Sequence, residues 1–151
     1  MGLDTTHGAW HGAYSAFHRW RVELAKLAGL PPLELMDGYY DNDHFSLLEY
    51  AHPNPDDLAM SRLRRLKEEL PLKWEALKPD GLHILLLHSD CEGTLKASEC
   101  KKIADSLTKL IPKIPEDMDL GGHIGNMRQK TQTFIDGCME AYNAKEKMRF
   151  Q

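Results

Sequence analysis

Apolar residues recur at helical spacing in four stretches of this chain, and glycine and proline separate each stretch from the next. Thr5 or Thr6 can cap a first helix that runs to about Ala28, where Gly29 and Pro31-Pro32 stop it. On it, Ala13, Phe17, Trp20, Leu24 and Leu27 gather on one side as a core stripe. "PNPDD" (53–57) reads as a helix start, with acids near the positive end of the dipole; Leu58, Leu63, Leu66 and Leu70 then repeat until Pro71. Ser98 caps a helix through about Leu110, with Ile103, Ala104, Leu107 and Leu110 inward. The last helix carries Met127, Phe134, Ile135, Cys138 and Tyr142 on its apolar side. Between these, "LHILLLH" (82–88) is too short for its period to separate a strand from a buried helix, and "DGYYDNDHF" (37–45) reads as a loop. The pattern predicts a mainly α fold, or α+β with a few short strands.

At 151 residues the chain is long enough to bury a core without staples, and residues 1–151 are expected to form one compact helical domain. A net charge of −4 argues against a nucleic-acid polymer as partner. Cys91, Cys100 and Cys138 form no CxxC pair, and their odd number argues against a disulfide framework, so a reducing cytoplasm is expected. No apolar run approaches a membrane span, and the first residues lack the basic-to-apolar progression of a signal peptide.

The stretch "DTTHGAWHGAYSAFHRWR" (4–21) concentrates titratable and aromatic side chains. If all of it is helical, His7, His11, Tyr14, His18 and Arg21 project within about 80° of arc, beside the apolar stripe, where a pocket wall would stand. Gly8, Gly12 and Ala16 form a second stripe, of small residues. A glycine inside a helix costs about 1 kcal/mol against alanine, so two of them at a four-residue spacing point to a backbone or ligand lying close. His7 and His11 also have a spacing that suits one metal ion, although HExxH is absent.

Laid on a twelve-residue calcium loop, "HSDCEGTLKASE" (88–99) places Asp90, Glu92, Gly93, Leu95 and Glu99 at suitable positions. His88 at the first position and Lys96 at the ninth oppose a hard cation, which favours a loop presenting His88, Asp90 and Cys91 instead. Cys91 reads as a small buried hydrophobe, or as a thiol activated by histidine. The glycines of "GGHIGNMRQKT" (121–131) precede a helix and leave amides free to meet an anion, with His123 in the joint and Arg128, Lys130 and Thr131 in the first turns. The spacing is not that of a P-loop, and a flexible joint before a solvated basic face explains it equally well.

"MGLDTTHGAWHGAYSAFHRWR", "HSDCEG" and "GGHIGNMRQKTQTFIDG" resemble segments of a family of small, largely uncharacterised bacterial and phage proteins, along nearly the whole chain. The resemblance implies no settled activity. By analogy of size, setting and pocket chemistry, it invites comparison with phage counter-defence proteins that enclose or cleave nucleotide immune signals.

Two functions follow from the residues. In the first, His7, Trp10, His11, Tyr14, His88, Asp90, His123, Arg128, Lys130 and Thr131 surround a phosphate-bearing, nucleotide-like small molecule, with no cofactor. Such a protein would sequester a cyclic nucleotide or ADP-ribose-type signal, and a homodimer with paired pockets suits that role. In the second, a phosphodiesterase, Asp4, His7, His11, His88, Asp90 and His123 hold a transition metal such as zinc or manganese. Its metal-free form draws a general base and acid from His11, His88, Asp90 and His123. A structural or partner-binding helical domain is the third reading.

Overall fold

The computed structural model describes residues 2–30, 80–89 and 91–151. The loop at 37–45, the helix read over Leu58 to Leu70, and Asp90 lie outside the described residues. In chain order the elements are β1 (Gly2–Asp4), a 3-10 turn (Thr6–Gly8), β2 (His11–Ala13), α1 (Tyr14–Leu27), α2 (Asp80–Leu87), β3 (Gly93–Leu95), α3 (Ala97–Leu110), a second 3-10 turn (Ile111–Lys113), α4 (Met127–Ala144) and β4 (Met148–Phe150). The fold is mainly α with two short antiparallel two-stranded sheets, as the periodicity predicts.

The N-terminus differs from the expected helix. Residues 2–13 form a hairpin, and α1 begins only at Tyr14. The reason is local and concrete: His7, Gly8 and Gly12 stand at φ 64°, 65° and 155°, values that no right-handed helix accepts. Thr5 closes the turn instead, its N–H donating to Trp10 O at 3.0 Å and its hydroxyl accepting from Trp10 N at 2.8 Å. His7 and His11 therefore leave the helical stripe to which the spacing assigned them.

From Tyr14 onward helical spacing holds. Phe17, Trp20, Leu24 and Ala25 of α1 are buried, with Arg21 beside them. The Arg21 guanidinium lies 4.5 Å over the Phe17 ring and donates through Nη1 to the Leu85 and Leu86 carbonyls, both at 3.3 Å, and to that of His88. These are the orphan acceptors at the end of α2, so a residue read as pocket wall serves as a buried C-terminal cap. The segment 82–88, ambiguous by period, is helical over most of its length.

α3 packs along both α2 and α4 and buries Cys100, Ile103, Ala104, Leu107 and Leu110. It starts one residue before Ser98, and Glu99 accepts from the Lys96 N–H at 2.9 Å, in place of a serine cap. On α4 the Asn126 side chain accepts from Gln129 N at 2.9 Å, Lys145 ends the helix in the left-handed region, and Tyr142 is 40% exposed rather than in the core. Aromatic rings fill the centre: Trp10 lies 5.1 Å from Phe17 and 5.2 Å from Trp20, and Trp20 lies 4.9 Å from Phe134.

The two sheets join through the C-terminal strand. β1 pairs β2 with Asp4 opposite His11, and β3 pairs β4 with Thr94 opposite Arg149. An isolated bridge, Thr5 to Phe150, links the sheets, reinforced by reciprocal Asp4–Gln151 backbone bonds of 2.8 and 2.9 Å. Leu3, Thr5, Leu95, Met148 and Phe150 point inward, leaving Asp4, His11, Thr94 and Arg149 on the outer face of the ladder.

Candidate functional site

The outer face of that ladder collects the exposed chemistry. Asp4 and His11, directly opposite across β1 and β2, meet through a carboxylate oxygen and imidazole Nδ1. Their side chains are 58% and 87% exposed, so His11 Nε2 is accessible to solvent. Thr6 and His7 follow in the turn. The left-handed backbone of His7 sets its ring between Thr6 Oγ1, 3.0 Å from Nδ1, and Glu146 Oε2, 2.9 Å from Nε2. Positive φ at a residue other than glycine is uncommon and is held here by tertiary contacts. The Thr6 hydroxyl also accepts from Arg149 N at 2.9 Å. Beside these contacts opens a groove of about 600 Å³ lined by Thr6, His7, Glu146, Lys147 and Arg149.

The free edge of β2 is covered by side chains from the last third of the chain. Ala13 N donates to His123 Nδ1 at 3.0 Å, and the Lys130 ammonium donates to His11 O at 3.1 Å. An unpaired strand edge is thereby satisfied. Gly12 is required for this approach, because a Cβ there would lie 2.9 Å from the Cβ of His123. Lys130 also sits 4.2 Å over the Trp10 ring, and loss of water around it lowers the pKa of its ammonium.

The other sequence candidates lie apart. Trp10 is 2% exposed and packs the core, its ring between Phe17, Trp20 and Lys130, rather than offering a face for a base. Tyr14 is half-buried against the core. Arg128 donates through Nε to Ile114 O at 3.0 Å, through Nη2 to the same oxygen, and through Nη1 to Glu116 at 3.4 Å, which ties the segment after α3 to α4. Thr131 is fully buried, accepting from Trp20 Nε1 at 3.0 Å and donating to Met127 O at 2.8 Å. His88 faces its own loop: Nδ1 is 2.8 Å from Ser89 O, Nε2 is 3.3 Å from Thr94 O, and the ring stacks 4.1 Å from Phe150. Cys91 is exposed, 3.5 Å from Ser89 Oγ, so it is not the buried hydrophobe that the sequence favoured.

The structure thus brings Asp4, His7 and His11 to the hairpin and sets His123 and Lys130 along its edge, while His88, Arg128 and Thr131 serve neighbouring elements. In the calcium-loop alignment Glu99 is committed to Lys96 N. Among the described residues no group of three or more His, Cys, Asp or Glu is placed to hold a metal ion. The groove residues Glu146, Lys147 and Arg149 escaped the sequence reading; the basic run "KEKMR" (145–149) was the signal for them.

No family model, curated protein or solved structure matches this chain. Among the described residues no helix is long and apolar enough to cross a membrane.

Proposed function

We propose that this protein binds a phosphate-bearing, nucleotide-like small molecule on the outer face of the strand ladder. One observation carries the reading: an open groove of about 600 Å³ has Lys147, Arg149, His7 and Thr6 around it, and its carboxylate, Glu146, is engaged with His7. A chain of net charge −4 thus presents two cations, Lys147 and Arg149, at one groove, which suits a compact anion. The Asp4 carboxylate, paired with His11 and 58% exposed on the same outer face of the ladder, is an acceptor for sugar hydroxyls. Phosphate recognition accordingly rests on Lys147 and Arg149, since Arg128 and Thr131 hold the fold.

Isothermal titration with ADP-ribose, a cyclic dinucleotide and inorganic pyrophosphate tests this. Saturable binding is expected, and Arg149→Ala should weaken it about 10- to 100-fold, the worth of one charged hydrogen bond. The reading fails if none of the three binds at about 1 mM, the weak end of specific affinities. It fails equally if Arg149→Ala and Lys147→Ala bind like the wild type.

A further inference from the structure

We propose that Thr6, His7 and Glu146 form a nucleophile–base–carboxylate triad that removes an acyl group, through an acyl-threonine, from a carboxylic ester of a phosphate-bearing small molecule. The inference rests on the binding reading above for the substrate's phosphate, which falls to Lys147 and Arg149 of the same groove.

Four polar groups form one directed chain. The Arg149 N–H donates to Thr6 Oγ1 at 2.9 Å, Thr6 Oγ1 lies 3.0 Å from His7 Nδ1, and His7 Nε2 lies 2.9 Å from Glu146 Oε2. An ionised carboxylate accepts and does not donate, so in the neutral ring the proton sits on Nε2 and Nδ1 is a lone pair. The Thr6 oxygen already accepts from Arg149, and its one hydrogen points to that lone pair. Nucleophile, base and orienting group thus stand in hydrogen-bond contact, each proton on the side the chemistry needs. All three residues line the groove of about 600 Å³. The His7 side chain is 9% exposed and that of Glu146 62%, so the base is shielded from water beside an open groove. His7 keeps this position through left-handed backbone, φ 64° and ψ 14°, and strain of that kind at a residue other than glycine clusters at functional sites.

The step balances with water as the co-reactant. Thr6 Oγ1 bonds to the ester carbon as its proton passes to His7 Nδ1, and Glu146 stabilises the imidazolium that forms. The bond from that carbon to the alcohol oxygen breaks, and the alcohol takes the Nδ1 proton. Water then gives a proton to Nδ1 and bonds to the acyl carbon; Thr6 Oγ1 leaves and recovers its hydrogen. The products are an alcohol and a carboxylic acid. The Arg149 N–H steadies the charge that the threonine oxygen gains as its proton leaves. An ester carbon carries no charge, so the hydroxyl approaches it without the repulsion that an anionic phosphorus centre presents.

The test uses the full chain with 4-nitrophenyl acetate and O-acetyl-ADP-ribose, following nitrophenolate release, acetylated peptides and products by chromatography, with ADP-ribose binding titrated alongside. A nitrophenolate burst of about one equivalent is expected, with the acetyl group on Thr6, and O-acetyl-ADP-ribose should yield acetate and ADP-ribose. Thr6→Ala should lose burst and adduct, and Thr6→Ser should keep both. His7→Asn tolerates the left-handed backbone and removes the base, so acylation should slow about 10²- to 10⁴-fold. Glu146→Gln should lower kcat and leave KM and the melting temperature unchanged. A burst that survives Thr6→Ala, O-acetyl-ADP-ribose left intact, or cleavage of bis(4-nitrophenyl) phosphate in place of both esters would each overturn the proposal. If ADP-ribose binds and neither ester acylates Thr6, the triad falls and the binding reading stands; if ADP-ribose and the other anions do not bind and Thr6 is never acylated, both fall.

Discussion

Gly137 lies in the middle of α4, where its flexibility should be a liability, and the contact it makes gives a sharp test of the packing. Replacing an interior helical glycine with alanine ordinarily stabilises by about 1 kcal/mol. Here a Cβ would stand 2.5 Å from Ala9 Cβ, 2.7 Å from Ala9 Cα and 2.9 Å from Ala9 N. Two of those atoms belong to backbone that strand pairing and the Thr5–Trp10 turn hold in place. Overpacking a tight site costs about 1–3 kcal/mol, and immovable neighbours put this one in the upper half of that range. Subtracting the propensity gain leaves a net loss of about 1–2 kcal/mol. For a chain of this size that is a fall in melting temperature of about 2–8 °C by circular dichroism. The double variant Ala9→Gly/Gly137→Ala should recover part of the loss, because the Cα and N contacts persist when the Ala9 methyl is gone. A single variant that melts at or above the wild type would refute the reasoning and with it the close approach of the hairpin turn to α4.

Arg128→Ala should lower the melting temperature by an amount equivalent to about 1–3 kcal/mol, the loss of a charged donor from the Ile114 carbonyl, while pyrophosphate affinity stays near wild type; a variant that melts normally and binds weakly would return Arg128 to the site. Lys130 makes a pH prediction. Its desolvated ammonium has a folded-state pKa below the ordinary 10.5, so between the two values the unfolded chain binds more protons and the wild type gains stability as pH rises. Urea melts of wild type and Lys130→Met at about pH 7.5 and pH 10, spanning the approach to the lysine range, should show the difference moving in favour of the wild type; a flat trend would mean the ammonium is fully hydrated, and an opposite one that its contacts favour the charged form, either of which refutes the reasoning.

The parts that were legible in the sequence are those in which neighbours along the chain decide the conformation. α3 and α4 appear close to where the apolar period and the glycine cluster place them, and "LHILLLH" was ambiguous only because seven residues hold too little period. The opening helix is shorter than its spacing predicts for one reason: a glycine pair four residues apart suits a close-packed helical stripe, whereas Gly8 and Gly12 mark backbone that leaves the helical region. That single misassignment moved His7 and His11 from a helix wall to a hairpin. It also hid the contacts of His7 with Thr6 and Glu146.

Local spacing and punctuation along the chain therefore determined the helical class, the core stripes and most helix ends, since each depends on side chains a few positions apart. The candidate face came from pairings between distant residues, Thr5 with Phe150, Arg149 N with the Thr6 hydroxyl and His123 on Ala13, just as the burial of Arg21 came from the end of α2 folding against it. A strand of three residues carries almost no periodic signal, and whether a histidine or arginine meets solvent, a carboxylate or a backbone carbonyl depends on which segment folds against it. Only the tertiary structure, by laying β4 beside β1 and α4 along β2, decided which of these groups hold the fold and which are open to a ligand.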